Sequence, residues 1–191
     1  MNTVFVDVDT QLDFLYPSGA LYVPGAECLV PAIAHLNRYA AAHGIRIVST
    51  TDAHTEDDPE FREWPPHCIG GTMGQRKPAA TRLEHGVVIP NRDGPFSLEG
   101  AQQILLEKQT IDAFATRSLP RVLEELGAER FVLYGVVTEI CVLCAARGLL
   151  SRGKSVVLVR DAVQSLDAPK AARALEQIQS LGGIVTTVSE F

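Results

Sequence analysis

Apolar and polar positions alternate in blocks along the chain, and these blocks predict strands and helices in turn. Short, nearly continuous apolar runs rich in Val, Ile and Phe are typical of buried parallel strands. The predicted strands are residues 3–9, 45–51, 87–89, 104–107, 131–137, 155–159 and 184–188. Segments with apolar residues at helical spacing lie between them, and the predicted helices are residues 26–42, 119–126, 138–151 and 169–181.

This alternation predicts an α/β fold, a three-layer sandwich in which a central, mainly parallel sheet carries helices on both faces. The chain has 191 residues, of which 46% are hydrophobic, so it is large enough to bury a full core. We therefore expect residues 1–191 to form a single domain.

Charge and composition narrow the set of partners. Only 21% of the residues are charged and the formal net charge is −6, which argues against binding to nucleic acid or to an anionic membrane surface. No apolar run is long enough to span a membrane, and the N-terminus reads as a first strand because it lacks the basic start of a signal peptide. The spacing of the four cysteines suggests no disulfide framework, so we expect a cytoplasmic protein.

Reactive side chains follow several of the predicted strands. Asp9 ends the first strand, Asp52 and His54 follow the second, Lys108 follows the strand at 104–107, and Cys141 follows the strand at 131–137. In a parallel sheet, ligands bind outside the C-terminal ends of the strands. We therefore expect these side chains to lie at one edge of the sheet.

Three of these residues suit nucleophilic catalysis. Cys141 falls in the first turn of a predicted helix, where free backbone N–H groups and the helix dipole favour a thiolate. Asp9 could accept the thiol proton and return it to a leaving amine, while Lys108 would stabilise both anions. Backbone N–H groups at 137–141 could form an oxyanion hole. The structural alternative is a capping aspartate, a solvated lysine and a core cysteine.

Asp52, His54 and His67 suit a metal site. Asp52 and His54 are two positions apart on an extended segment, so both side chains can face one ion. His67 would complete the site from the following loop. Two imidazoles and a carboxylate suit Zn²⁺ or Fe²⁺ and leave positions open for water or substrate. The alternative is that these histidines are solvated in a loop rich in Asp and Glu.

The pair Cys141 and Cys144 also matches a C-x-x-C redox motif. Two bulky apolar residues separate the cysteines, where redox motifs commonly place Pro or Gly. Cys144 lies one helical turn further on, beside alanines, where a buried structural thiol is the ordinary interpretation.

The same segments resemble the isochorismatase-like cysteine hydrolases and, within them, the nicotinamidases. Residues 9–14, Asp-Thr-Gln-Leu-Asp-Phe, resemble the opening D-x-Q-x-D-F motif, and residues 135–142 resemble the nucleophile segment. Lys108, followed by Ile-Asp-Ala-Phe at 111–114, resembles the segment with the catalytic lysine. The resemblance implies a Cys141 nucleophile, a proton acceptor at Asp9, a non-proline cis bond before Val137, and an oxyanion hole made by the N–H groups of Val137 and Cys141.

The resemblance also implies a metal ion on the Asp52, His54 and His67 triad that binds the ring nitrogen of nicotinamide. A fourth ligand varies within the family, and Glu60 is the candidate in this chain. Phe14 and Trp64 would form the aromatic walls of the pocket.

The chain departs from the family pattern after His67. Residues 70–77, Gly-Gly-Thr-Met-Gly-Gln-Arg-Lys, stand where a Gly-Thr-Pro-Gly-like stretch is usual, and the segment 68–107 is longer than is typical. We expect residues 87–95 to form a hairpin or flap near the pocket. We also expect Gln75, Arg76 and Lys77 to bring polar or cationic groups close to a ligand.

The residues predict a metal-containing cysteine amidohydrolase that forms a thioester on Cys141. The resemblance further implies that it converts nicotinamide to nicotinate and ammonia, a step of NAD metabolism. One alternative is an amidase for another small amide or ureide. A second is a non-catalytic module that binds small molecules on the same fold. Members of the family are often dimers or tetramers, so the resemblance also implies a homo-oligomer.

Overall fold

A computed structural model describes residues 2–191, and within this range seven parallel strands form one sheet. The strands are β1 (Thr3–Val8), β2 (Arg46–Asp52), β3 (Gly86–Ile89), β4 (Gln103–Lys108), β5 (Arg130–Val136), β6 (Ser155–Gln164) and β7 (Ile184–Thr186). Their order in the sheet is β3-β4-β2-β1-β5-β6-β7. All the strands predicted from the apolar runs are present, although β6 is longer and β7 shorter than predicted.

Helices connect the strands. They are α1 (Leu12–Leu15), α2 (Val30–Ala42), α3 (Leu119–Leu126), α4 (Leu143–Leu150) and α5 (Ala168–Ser180). The predicted helix at 138–151 begins as a π-helical turn, Thr138–Val142, before α4, and the single turn α1 was not predicted. None of the helices within residues 2–191 combines the length and the hydropathy needed to cross a bilayer.

Both faces of the sheet are buried under helices, which confirms the predicted three-layer fold. Along β1, Val4, Val6 and Val8 pack into the cluster that contains α3, α4 and α5, whereas Phe5 packs into the cluster that contains α2. Alternate side chains of a strand point to opposite faces, so a strand covered on both sides must be apolar almost throughout.

The prediction of a hairpin or flap at residues 87–95 is wrong. Val87 and Ile89 belong to β3, which pairs in parallel with β4 at the edge of the sheet. Two parallel neighbours need a crossover connection, and residues 90–102 provide it, so no tight antiparallel turn forms. Within the described residues, none from 87–95 lines the cavity that contains Cys141.

The strand order places the candidate catalytic and metal-binding residues close together. Four adjacent strands, β4, β2, β1 and β5, end side by side, and Asp52 is in register with Lys108. Gly135 allows β5 to lie close to β1, since a Cβ atom there would stand 2.1 Å from the Val8 carbonyl oxygen and its φ is +118°. The peptide bond between Val136 and Val137 is cis, as the resemblance implies.

Candidate active site

Lys108 lies at the centre of a buried group of charges at the C-terminal edge of the sheet. Its Nζ atom is 3.0 Å from Asp9 Oδ2 and also contacts Asp52 Oδ1. Burial disfavours the charged amine, but the two carboxylates outweigh burial and keep the pKa of Lys108 well above its ordinary value. The two acids on either side of the amine therefore favour its charged form.

Asp9 is held in place from both its side chain and its backbone. Thr50 Oγ1 donates a 2.7 Å hydrogen bond to Asp9 Oδ1, and the Asp9 backbone N–H donates to the Thr50 carbonyl oxygen at 3.1 Å. The residue has a φ of +51°, in the left-handed region that side chains rarely adopt. Burial raises the pKa of Asp9, and the charge of Lys108 opposes the rise. A carboxylate of raised basicity suits a proton acceptor.

Cys141 lies in the π-helical turn after β5 and is only partly accessible, from the cavity side. Burial raises the pKa of its thiol well above the ordinary value; Lys108 opposes the rise, and the hydrogen bond and charge of Asp9 add to it. The helix start and Lys108 favour a thiolate, whereas burial and the Asp9 carboxylate oppose it. The structure brings the predicted cluster of Asp9, Lys108 and Cys141 together, with a carboxylate placed where it can accept the thiol proton.

The predicted metal ligands Asp52, His54 and His67 converge. Their ligand atoms all lie within 4.8 Å of one another, and the three residues are buried. The Nε2 atoms of His54 and His67 are 3.8 and 3.6 Å from Asp52 Oδ2, too far for hydrogen bonds and at a spacing that one shared ion would bridge. His54 Nε2 is buried with no hydrogen-bond partner. An orphaned imidazole nitrogen beside a free carboxylate oxygen fits a divalent metal.

The second ring nitrogen of each histidine faces an oxygen outside the cluster, so the Nε2 atoms are the ones that face Asp52. His67 Nδ1 donates to the Pro65 carbonyl oxygen at 2.7 Å, and His54 Nδ1 lies 3.0 Å from Asp58 Oδ2. Such outer contacts fix the tautomer and the orientation of metal-binding imidazoles. Sequence reasoning missed Asp58, because it is one of several acids in the same loop.

Gln11 was also missed as a functional residue, although it is part of the D-x-Q motif. Its Oε1 accepts a 2.6 Å hydrogen bond from the Asp52 backbone N–H, and its Nε2 donates to the Asp52 carbonyl oxygen at 2.8 Å. The Gln11 side chain therefore holds the backbone of the metal-site carboxylate from both sides. The spacing of Gln11 from Asp9 was the signal that could have identified it.

Asp13 fastens the loop that carries His67. Its Oδ2 accepts a 2.7 Å hydrogen bond from the Cys68 backbone N–H, and its Oδ1 accepts one of 3.0 Å from the Ala20 backbone N–H. Gly74 leaves the space for this carboxylate, since a Cβ atom there would lie 2.1 Å from Asp13 Oδ2. The loops on two sides of the cavity are thereby tied to one side chain.

Cys141 opens into a cavity with a largely apolar lining. Its apolar lining comes from Phe14, Leu21, Val23, Trp64, Ile111, Val137, Ile140 and Leu166. The polar lining comes from Asp52, Glu60, His67 and Cys141. The aromatic walls expected at Phe14 and Trp64 therefore face the same space as the nucleophile and the metal triad. The aliphatic wall residues had no sequence signal, because they come from separate loops.

Glu60 lies on the wall of this cavity and outside the three-residue cluster. Burial and the nearby Asp52 charge raise its pKa. Its role as a fourth ligand stays a prediction. The oxyanion hole likewise stays a prediction, although both Val137 and Cys141 line the cavity.

The expectation that Lys77 would approach a ligand is wrong. Its ammonium group is fully buried and forms an ion pair with Asp7 at 2.8 Å. Gln75 and Arg76 do not line the Cys141 cavity either. The backbone of residues 74–76 accepts hydrogen bonds from residues 11–13, and Arg76 is exposed while Lys77 is buried.

Cys141 and Cys144 open into different cavities, the second of which is lined by Asp112 and Arg147. Both thiols are free, and burial raises the pKa of Cys144 as well. This arrangement does not favour the dithiol interpretation.

Comparison with known proteins gives the same picture. Residues 3–190 match the isochorismatase domain family. An uncharacterized isochorismatase family protein, PncA of Bacillus subtilis, is 31% identical over 97% of this chain and 99% of its own length. The pyrazinamidase/nicotinamidase of Streptococcus mutans superposes with a TM-score of 0.84 at 28% identity, covering 96% of this chain and 99% of its own.

A third comparison bears on the metal site. The pyrazinamidase of Pyrococcus horikoshii, solved in complex with zinc, has a TM-score of 0.79 and is 31% identical, covering 98% of this chain and 99% of its own. The fold, the domain family and the similar proteins all agree with the family resemblance that the sequence motifs indicated. The chain therefore belongs to the isochorismatase family and is an amide-hydrolysing enzyme within it.

Proposed function

We propose that the protein is a nicotinamidase, which hydrolyses nicotinamide to nicotinate and ammonia, and that residues 1–191 form its single catalytic domain. The observation that carries the proposal is the meeting of two groups at one cavity. The Asp9, Lys108 and Cys141 cluster and the Asp52, His54 and His67 triad share the buried ion pair between Lys108 and Asp52.

The first half of the proposed reaction forms a thioester. Asp9 accepts the proton from the Cys141 thiol as the sulfur attacks the amide carbonyl carbon. The N–H groups of Val137 and Cys141 stabilise the oxyanion. Asp9 then gives its proton to the amide nitrogen, the carbon–nitrogen bond breaks, and ammonia leaves. Lys108 compensates the charge of the carboxylate throughout.

The second half releases the acid. Asp9, again ionised, takes a proton from a water molecule, and the resulting hydroxide attacks the thioester carbonyl. The carbon–sulfur bond breaks, the sulfur regains a proton from Asp9, and nicotinate leaves. The raised basicity of Asp9 supports this double use as base and acid.

Binding of the ring is assigned to the walls and to the metal site. Phe14 and Trp64 enclose the pyridine ring, and the aliphatic lining excludes water. A divalent ion, Zn²⁺ or Fe²⁺, held by Asp52, His54 and His67 with Glu60 as a candidate fourth ligand, would supply a Lewis-acid contact to the ring nitrogen. One Asp52 oxygen contacts Lys108 and the other faces His54 and His67. Asp52 therefore sets the distance between the catalytic cluster and the metal triad.

We also propose that the protein is a cytoplasmic homo-oligomer that acts in NAD metabolism. Free thiols suit a reducing compartment, and the four cysteines of the described residues are all free. The homo-oligomer follows from the family resemblance. Light scattering of the purified protein tests the oligomeric state.

The test of the function uses the metal-loaded enzyme with nicotinamide, pyrazinamide and a non-aromatic amide. We expect ammonia release with the two ring amides and a thioester adduct of the Cys141 peptide in quenched samples analysed by mass spectrometry. Cys141→Ala should abolish both signals while nicotinamide still binds, and Cys144→Ala should retain them.

Retained turnover in Cys141→Ala would contradict the nucleophile. Faster turnover of the non-aromatic amide would point to another amide or ureide as substrate. Binding without ammonia release or adduct for any amide would favour the non-catalytic module.

A further inference from the structure

A second buried ion pair lies next to the catalytic residues. Lys77 Nζ is 2.8 Å from Asp7 Oδ2, and neither side chain has any solvent exposure. Asp7 is in β1, two positions before Asp9, and Lys77 comes from the loop between β2 and β3. The proposed reaction uses neither residue.

Thr10 connects this pair to the site. Its hydroxyl donates a 2.6 Å hydrogen bond to Asp7 Oδ1 and also contacts Lys77 Nζ. Thr10 stands between Asp9 and Gln11, so both of its chain neighbours are functional residues. A displacement of Thr10 must therefore move the proton acceptor, the side chain that holds Asp52, or both.

The loop that contains Lys77 is hydrogen-bonded to the residues that follow Thr10. The Leu12 N–H donates to the Arg76 carbonyl oxygen at 2.8 Å, and the Asp13 N–H donates to the Gly74 carbonyl oxygen at 3.1 Å. The Gln11 side chain adds a 2.7 Å hydrogen bond to the carbonyl oxygen of residue 75. Residues 74–77 thus lie along residues 10–13 and are hydrogen-bonded to them. Lys77, at the end of this segment, places its ammonium group in the buried ion pair.

We infer that the Asp7–Lys77 ion pair positions Asp9 and Gln11 through Thr10. It keeps residues 9–11 in the conformation in which the Asp9 carboxylate reaches Cys141 and the Gln11 amide holds the Asp52 backbone. The inference rests on the proposed function only in taking Asp9 as the proton acceptor of Cys141.

Energetics favour a positioning role over a purely stabilising one. Removing two charges from water has a large penalty, and a buried ion pair is often no more stabilising than a well-packed apolar pair. Here each oxygen of Asp7 has a partner, since Ser49 Oγ also approaches Oδ2 at 3.3 Å. A fully satisfied polar network defines a unique local geometry, which an apolar contact would not.

The experiment uses the double variant Asp7→Asn with Lys77→Met, which removes both charges and nearly preserves shape. Lys77→Met alone leaves the Asp7 carboxylate unpaired and should lower the melting temperature, and Asp7→Asn in the double variant should restore most of it. We expect kcat for nicotinamide to fall roughly tenfold or more in the double variant, with little change in KM, because the proton acceptor is misplaced.

A second variant tests the role of Thr10 while the Asp7–Lys77 ion pair is kept. Thr10→Val keeps Asp7 and Lys77 but removes the hydroxyl that joins them to residues 9–11. We expect a fall in kcat of the same order as in the double variant. The melting temperature should fall moderately, because Asp7 Oδ1 loses its buried hydrogen bond.

A readout independent of any amide substrate is the pH dependence of Cys141 alkylation by iodoacetamide, followed for each peptide by mass spectrometry. Asp9 raises the pKa of Cys141 and Lys108 lowers it, so loss of the carboxylate from its place should let alkylation begin at lower pH. Asp9→Asn gives the reference profile. Cys68, which is fully buried, serves as an internal control because it reacts only when the chain unfolds.

The inference is supported if the double variant and Thr10→Val shift the Cys141 profile toward that of Asp9→Asn while Cys68 stays protected. It is overturned if both keep the wild-type kcat and the wild-type Cys141 profile. Asp93→Asn with Arg117→Gln, which removes an exposed ion pair, is the matched control and should change nothing. A wild-type enzyme inactive on nicotinamide would refute the proposed substrate, and the alkylation profiles would still decide the positioning role.

Discussion

Asp58 Oδ2 lies 3.0 Å from His54 Nδ1, so the proposed metal site has an outer carboxylate as well as its ligands. The Asp58 carboxylate faces Nδ1, and Nε2 is directed toward Asp52 Oδ2. Asp58 also accepts a 2.9 Å hydrogen bond from the Glu60 backbone N–H, so the same side chain shapes the loop between the two histidines.

Asp58→Asn should weaken metal binding by roughly 10- to 100-fold, the usual effect of losing an outer contact to a metal-binding imidazole. Zinc titration of the metal-free protein measures the affinity. Asp57→Asn, in the exposed neighbouring residue, is the matched control and should bind metal as the wild type does. Equal affinities in the two variants would show that Asp58 serves only the loop.

Removal of the metal should abolish nicotinamide turnover mainly by weakening substrate binding, because the proposed ion contacts the ring and the nucleophile is Cys141. Ammonia release is measured after dialysis against a chelator and again after addition of Zn²⁺ or Fe²⁺. Benzamide, which lacks the ring nitrogen, should lose little of its low rate. Turnover of nicotinamide that survives complete metal removal would exclude the ring-nitrogen contact.

Activity should fall on the acid side at a higher pH than an ordinary aspartate would predict. Asp9 must be ionised to accept the thiol proton, and burial raises its pKa above the ordinary value. As pH falls through this raised pKa, Asp9 becomes protonated and kcat/KM declines. A profile of kcat/KM against pH tests this, and Asp9→Asn should lose turnover at every pH. An acid limb at the pKa of a solvated aspartate would argue against the buried Asp9 as base.

Lys108→Met should both inactivate and destabilise the protein. The substitution leaves the carboxylates of Asp9 and Asp52 buried without their cation, an effect worth about 3–5 kcal/mol in the free energy of unfolding. Urea denaturation measures the stability and ammonia release measures the activity. Arg117→Met, which removes a cation from an exposed pair, should change the stability by less than about 1 kcal/mol.

Gly74→Ala should disturb the His67 loop, because its Cβ atom would lie 2.1 Å from Asp13 Oδ2 and displace the carboxylate from the Cys68 N–H. We expect a loss of stability of about 1–3 kcal/mol together with weaker metal binding. Gly94→Ala is the matched control, since a Cβ atom there meets nothing within 4 Å. Identical melting temperatures and zinc affinities in the two variants would contradict this role of Gly74.

The order and type of most elements could be predicted from the chain, because buried parallel strands are short apolar runs and helices have their own spacing. The residues following each strand were informative for the same reason: the C-terminal ends of parallel strands meet. Asp9, Asp52, Lys108 and Cys141 are thus close in space although distant in sequence.

Other features depend on tertiary contacts that no local pattern encodes. Lys77 was expected near a ligand, yet it forms a buried ion pair with Asp7 on β1. A hairpin or flap that includes residues 87–95 was expected because the segment 68–107 is longer than is typical, and only the pairing of β3 with β4 decides that the strand runs parallel. The thiolate expected at Cys141 followed from the helix start and from Lys108, and no local pattern encodes the burial that opposes it by raising the pKa of the thiol.

The register between β2 and β4 has a consequence for refolding. Asp52 and Lys108 are direct partners in this register, and a slip by one residue would turn one of the two side chains to the opposite face of the sheet. A misaligned chain could keep normal secondary structure and still lack both the metal triad and the catalytic cation. The yield of ammonia-releasing activity after dilution from denaturant therefore counts correctly aligned molecules, which circular dichroism cannot distinguish.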